Sequence, residues 1–228
     1  MLSRAAPKRV RKTPEARRAE IVAAASALAL TEGLECLTLR RVADELAVRP
    51  GLISHYFPAV EDLVAEAFGA AATAELDDLI PADRPAGSPL EHLARFFVLT
   101  TGPGYDGVSR LWLNAWHLSR YRPALRERVD RQETLWRERL AGLVRDGVEH
   151  GSFEARDPDV TAARILVVLD GLGSHANTDR SDRPPEVTHL AVVIAERELN
   201  LPEGSLVARV TAAHVPRPAP DEGAACAR

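Results

Sequence analysis

Two prolines eight positions apart, Pro50 and Pro58, limit what the chain between them can become. Proline fixes its own φ, lacks an N–H and disfavours helical geometry in the residue before it, so a helix opening at Pro50 runs only to about Phe57. Leu52, Ile53 and Phe57 form the apolar side of that short helix, with polar residues opposite. Just upstream, Thr38 is placed to cap another short helix whose apolar set is Leu39, Val42, Ala43 and Leu46. Two short helices, with small Ala47 beside the tight turn between them, describe a helix-turn-helix in residues 38–57, TLRRVADELAVRPGLISHYF. Docking the apolar sets leaves Arg49, Pro50, Gly51 and Ser54 at the exposed N-terminal end of the second helix, the end that enters a major groove.

Between the basic arm and about residue 200 the remaining sequence is helical in period, which predicts an all-α protein. Thr13-Pro14-Glu15 starts a first helix, Ile21, Ala25, Leu28 and Ala29 give it one apolar face, and Gly33 ends it. A fourth helix begins near Ala59 and reaches Pro81. Residues 81–89, with Pro81, Pro85, Gly87 and Pro89, read as a linker. Further helices are expected at 89–101, 107–120, 122–150, 157–176 and 186–199, separated by glycine and proline breaks. The expected organisation is a basic flexible arm (1–13), a helix-turn-helix domain (14–58), a helical ligand-binding and dimerisation domain (59–200) and a loosely ordered tail (201–228).

Charge is divided unevenly between these parts. Residues 1–60 carry ten Lys/Arg against six Asp/Glu, and the rest of the chain carries nineteen against twenty-seven. Arg4, Lys8, Arg9, Arg11, Lys12, Arg17 and Arg18 face only Glu15 in the first eighteen residues, a block suited to phosphate contact or to a solvated tail. Cys36 and Cys226 belong to no cluster with metal-ligand spacing, so free thiols and no structural metal are expected. No apolar run reaches the roughly 18 to 20 residues needed to span a bilayer, and a cytoplasmic protein without membrane contact is expected.

With Gly33, Thr38-Leu39, Val42-Ala43, Leu46, Val48, Gly51 and Tyr56-Phe57 in these positions, residues 14–68 resemble the TetR family of one-component regulators. Within that family, Ile53-Ser54-His55-Tyr56-Phe57 and Leu169-Asp170-Gly171-Leu172 resemble repressors of the choline-to-glycine-betaine pathway. The resemblance implies a homodimer that binds a double-stranded DNA operator and answers to a small-molecule effector. By position it implies that Thr38, His55 and Tyr56 hold phosphates while Arg49, Pro50 and Gly51 approach bases, with Ser54 and Arg40 close by. The family's phosphate-contacting lysine, three residues after the phenylalanine, is Val60 here, and the basic arm is expected to make up the contact.

Candidate effector residues are Trp112, Trp116, His117, Asp170, His175 and Asn177. Trp112 and Trp116 stand one helical turn apart, and either line a cavity or fill it; an aromatic wall also suits a cationic ligand. Asp170 interrupts an apolar run, either as a ligand's counter-charge or as a paired structural carboxylate. Gly171 and Gly173 allow close helix approach, and Val187, Leu190, Ala191 and Ile194 give the 186–199 segment an apolar face for a four-helix dimer interface. No phosphate loop, nucleophile motif or metalloprotease signature is present, and Gly171-Leu172-Gly173 lacks the preceding strand of a dinucleotide site, so neither catalysis nor a cofactor is expected. The rival readings are a sequence-nonspecific architectural DNA binder and an all-helical enzyme.

Overall fold

A computed structural model describes residues 12–102, 105–178 and 184–214. Among them are eleven α-helices and no strand: α1 (Pro14–Glu32), α2 (Leu39–Glu45), α3 (Pro50–Tyr56), α4 (Val60–Leu79), α5 (Pro89–Thr101), α6 (Asp106–Ser119), α7 (Pro123–Glu149), α8 (Pro158–Thr178), α9 (Pro185–Thr188), α10 (Leu190–Glu198) and α11 (Ser205–His214). A short 3-10 turn, Leu34–Cys36, joins α1 to α2. None of the described helices is long and apolar enough to cross a membrane. The basic residues Arg4, Lys8, Arg9 and Arg11 lie outside the described residues, as does Cys226.

The chain divides into two compact units. The first comprises the described residues of Met1–Glu75 together with Arg110–Glu133, and the second those of Leu76–Ser109 together with Thr134–Arg228. In the first unit Ile21, Ala25, Leu28 and Ala29 of α1 are buried together with Val42, Ala43, Ile53 and Phe57. The first helix starts where its sequence directs: the Thr13 hydroxyl accepts from Ala16 N at 3.2 Å, and Pro14 spends no needed N–H. It ends at Gly33, whose φ of 103° is open to glycine and strained for other residues. The Gly33 N–H closes on the Ala29 carbonyl at 3.1 Å.

In the second unit α5 opens with a capping box, Ser88 N donating to Glu91 Oε2 at 2.7 Å and Glu91 N to Ser88 Oγ at 3.3 Å. The Ser88 N–H bond favours the charged Glu91 carboxylate and lowers its pKa, with the Ser88 hydroxyl adding to the effect.

Two expectations change here. The 186–199 segment is not one helix, because the chain turns at His189 (φ −90°, ψ 4°) between α9 and α10. Its buried row is Ala191, Val192 and Ala195, whereas Val187 and Leu190 are each 41% exposed. The expectation of a loose tail also fails for residues 205–214, which form α11 and bury Leu206 and Val210 completely. Prolines on both sides of this segment hid it. Its helix starts on a partner the local sequence does not supply: the buried Glu196 carboxylate accepts from Gly204 N (3.0 Å), Leu206 N (2.6 Å) and Val207 N (3.0 Å).

Candidate nucleic-acid interface

Helix α2 begins at Thr38, whose hydroxyl accepts from Arg41 N at 3.0 Å. The turn out of α2 is made by Ala47 at φ 50°, a left-handed position, with Val48 N donating back to Ala43 O at 3.0 Å. Pro50 then opens α3. Ile53 is fully buried and Phe57 is 1% exposed, so the inner side of this helix is committed to the core. On the outer side Arg49, Pro50, Gly51, Ser54 and His55 are exposed, Tyr56 is half-buried, and a Cβ placed on Gly51 would meet nothing within 4 Å. Ser54 Oγ donates to Pro50 O at 3.2 Å. The His55 and Tyr56 rings meet edge-on at 5.3 Å.

The adjacent arginines of α2 differ in what they hold. Arg41 donates to Glu32 at 2.6 Å and to Glu45 at 2.9 Å, and these carboxylates raise its pKa above the ordinary value. The same contact with Arg41 lowers the pKa of Glu32. Arg40 is exposed and makes no ion pair with any described residue. Thr38 and Arg40 thus stand as exposed polar groups at the start of α2.

Among the effector candidates, Trp112, Trp116 and His117 lie in the first unit and Asp170, His175 and Asn177 in the second. Trp112 is 7% exposed, its ring 5.1 Å from Phe68 and 5.6 Å from Trp116. Each indole N–H is held by a carboxylate: Trp112 Nε1 donates to Glu75 Oε2 at 2.8 Å and Trp116 Nε1 to Glu133 Oε1 at 2.9 Å. Gln132, 1% exposed, donates from Nε2 to Gly69 O at 3.3 Å and Thr73 Oγ1 at 3.0 Å. Its Oε1 and the Asn114 Oδ1 are buried acceptors that find no donor among the described residues. A hydrogen-bond acceptor buried without a donor costs about 1–3 kcal/mol, a cost that a bound donor would remove. His117 is exposed and faces Tyr121 at 5.9 Å.

In the second unit a cavity of about 100 Å³ is lined by Thr100, Thr101, Tyr105, Ser109, Thr188 and Gly173 among others. Ser109, one of the lining residues, accepts at Oγ from Asn177 Nδ2 at 2.8 Å. Gly173 stands close to it, since an added Cβ would come 3.3 Å from the Ser109 Cβ; Gly171 faces open space. Asp170 and His175 are exposed. The run around Asp170 is therefore not wholly interior: α8 carries a solvent-facing side on which Val167 is 69% exposed.

Comparison with known proteins completes this picture. Residues 21–67 match the model of the bacterial regulatory proteins of the tetR family, and residues 90–196 match that of the C-terminal domain of BetI-type transcriptional repressors. The chain belongs to the TetR family. No curated protein matches it in sequence. Solved structures share the fold of this TetR-family chain. A protein from Saccharomonospora viridis, described as a transcriptional regulator in complex with choline, is 24% identical, with 80% of this chain and 95% of that one covered at a TM-score of 0.65. A transcriptional regulator from Pseudomonas aeruginosa PAO1 is 25% identical over 82% and 92% of the two chains, TM-score 0.64. A TetR-family regulator from Rhodococcus sp. is 22% identical over 79% and 97%, TM-score 0.63.

For this TetR-family regulator, sequence reasoning singled out the two indoles but not the carboxylates that bond them or the buried acceptors of Asn114 and Gln132. Glu75, Asn114, Gln132 and Glu133 carry no motif. The one available signal was Gln132, a polar residue in the apolar row of α7 that includes Leu125, Val129 and Trp136. Helix α11 lies beyond both matched regions.

Proposed function

We propose that this TetR-family regulator is a dimeric repressor that binds a palindromic operator and releases it when a small molecule occupies the helical C-terminal part. The observation that carries this reading is the division of α3 into a fully committed inner side, Ile53 and Phe57, and an open outer side, Arg49, Pro50, Gly51, Ser54 and His55. Such a helix has no packing use for its outer residues. In the repressor, Arg49, Pro50 and Gly51 approach base edges while Thr38, His55 and Tyr56 hold phosphates, with Arg40 on the adjoining backbone.

The effector reading rests on Trp112 and Trp116, whose indole N–H edges are held by the carboxylates of Glu75 and Glu133. Aromatic faces with acceptor oxygens around them suit an organic cation, and a quaternary ammonium group is the class proposed. The choline bound by the similar Saccharomonospora protein supports that class. Exposed apolar residues of the second unit, Val160 and Val167 on α8 with Val187 and Leu190, support a second copy of the chain as the partner that covers them. Ligand binding favours a dimer whose recognition helices no longer match the two half-sites, and by linkage the ligand binds operator-bound protein more weakly than free protein.

The test is selection of random genomic fragments by the purified protein at about 150 mM salt, where nonspecific phosphate contacts are weak. One short inverted repeat is expected, with choline lowering its retention. Retention of all sequences alike favours a nonspecific architectural binder instead. An enriched repeat indifferent to choline removes the proposed effector class and leaves the repressor.

A further inference from the structure

Arg110, on the first turns of α6, reaches out of its own helix to the end of α1: its Nη2 donates to Leu30 O at 2.8 Å and to Thr31 O at 3.4 Å. The last four carbonyls of a helix have no partner inside it, and Gly33 N closes one of those in α1, Ala29 O. Arg110 takes up the next two and sets a positive charge at the negative end of the helix dipole. One residue further, Glu32 holds Arg41 of α2 at 2.6 Å, and Arg41 reaches Glu45 at the other end of the same helix. The last turn of α1 is therefore gripped from two sides, by α6 through Arg110 and by the first helix of the DNA-reading pair through Arg41. Two and six residues beyond Arg110, α6 carries Trp112 and Trp116.

We propose that Arg110 is the positioning residue that couples α6 to the helix-turn-helix. This inference rests on the effector reading above. A shift of α6 at Trp112 and Trp116 moves Arg110, Arg110 moves the last turn of α1, and the Glu32–Arg41 pair carries that movement to α2 and so to α3. The Arg110 step uses backbone carbonyls as its acceptors, so a side-chain substitution in α1 leaves that step in place, and the Glu32–Arg41 step is the one broken from α1. Linkage makes the path two-way, so DNA bound at α3 alters the surroundings of the indoles.

The full-length protein with Trp136→Phe leaves Trp112 and Trp116 as its two tryptophan reporters. Their emission is followed while the inverted-repeat duplex recovered by genomic selection is added, and duplex affinity is measured in parallel. The parent is expected to change its emission on binding. Arg110→Ala is expected to bind the duplex within about threefold of the parent, the scale of an exposed helix-end charge, while losing most of the emission change. Arg110→Lys, which keeps the charge and one contact, is expected to retain part of it. A melting curve for each variant establishes that it folds, and Arg110→Gln carries the comparison if the Ala variant does not. An unaltered emission change in duplex-bound Arg110→Ala, or in Arg110→Gln should Ala not fold, overturns the proposal while leaving the effector reading intact. A parent whose indoles ignore the duplex sinks both, because the sites are then uncoupled.

Discussion

The guanidinium of Arg18 lies over the ring of Phe57, its central carbon 4.7 Å from the ring centroid, and its outer nitrogens hold both oxygens of the Glu66 carboxylate. Arg18 belongs to α1, Phe57 ends α3 and Glu66 lies on α4, so one side chain ties together three helices of the DNA-reading unit. The pairing raises the Arg18 pKa, with the Glu66 hydrogen bond as the main cause. Phe57 follows directly on the recognition helix, so this contact also holds the end of that helix against α1.

Arg18→Ala removes stacking and pairing together and is expected to cost about 1 kcal/mol, since both partners remain partly exposed. For a chain of this length that lowers the melting temperature by roughly 2–4 °C. Glu66→Gln keeps the stack and loses the ion pair, so its deficit is smaller and shrinks in high salt. Equal deficits for the two variants at every salt concentration would mean that the ring contact contributes nothing.

Arg40 and Arg41 are neighbours with different expected phenotypes. Arg41 is spent on Glu32 and Glu45, whereas Arg40 has no carboxylate partner among the described residues. Arg40→Ala is expected to weaken duplex binding and to reduce the slope of log affinity against log salt by about one, the signature of a lost phosphate contact. Arg41→Ala is expected to lower the melting temperature while keeping the slope. Measuring affinity at several salt concentrations separates the two, and equal slopes for Arg40→Ala and the parent would remove Arg40 from the interface.

The helix-turn-helix was legible because its signals are local. Thr13 and Thr38 cap the helices they precede, Pro50 opens α3, and of the expected apolar sets Val42, Ala43, Ile53 and Phe57 are buried while Leu39, Leu46 and Leu52 are half-buried. What could not be read depends on partners far along the chain. Glu75 lies 37 positions from Trp112, Arg110 lies 80 from Leu30, and neither separation leaves a pattern. The apolar run around Asp170 marks no interior position, since the side chain is exposed. An apolar run on a helix identifies an interior face only when nothing outside the folded chain is meant to cover it.

Ala47 carries the tight turn at φ 50°, a conformation that costs an L-residue of this kind about 1–2 kcal/mol relative to glycine. Ala47→Gly relieves that strain and adds about 0.4–1 kcal/mol of unfolded-chain entropy, so a small net gain in stability is expected. Ala47→Val places a branched Cβ in the same conformation and is expected to destabilise clearly. Urea unfolding midpoints for the three proteins should fall in the order Gly, Ala, Val; a Val variant as stable as the parent would mean that the turn relaxes away from positive φ.

Glu196 offers the sharpest test of how the end of the chain is held. Its carboxylate is 3% exposed and accepts the N–H groups of Gly204, Leu206 and Val207, three donors that α11 cannot satisfy within itself. Glu196→Ala strands them in a largely closed environment, and at about 1.5–3 kcal/mol for a hydrogen bond to a charged group the loss exceeds 2 kcal/mol unless α11 detaches. Detachment exposes Leu206 and Val210, which are otherwise fully buried. Amide exchange is therefore expected to accelerate across residues 204–214 in the variant, more than in the DNA-reading unit. Glu196→Gln retains one carbonyl oxygen and should give an intermediate effect. Uniform acceleration throughout the protein would show that α11 unfolds only with the rest of the chain, making the cap a determinant of global stability and not of local attachment.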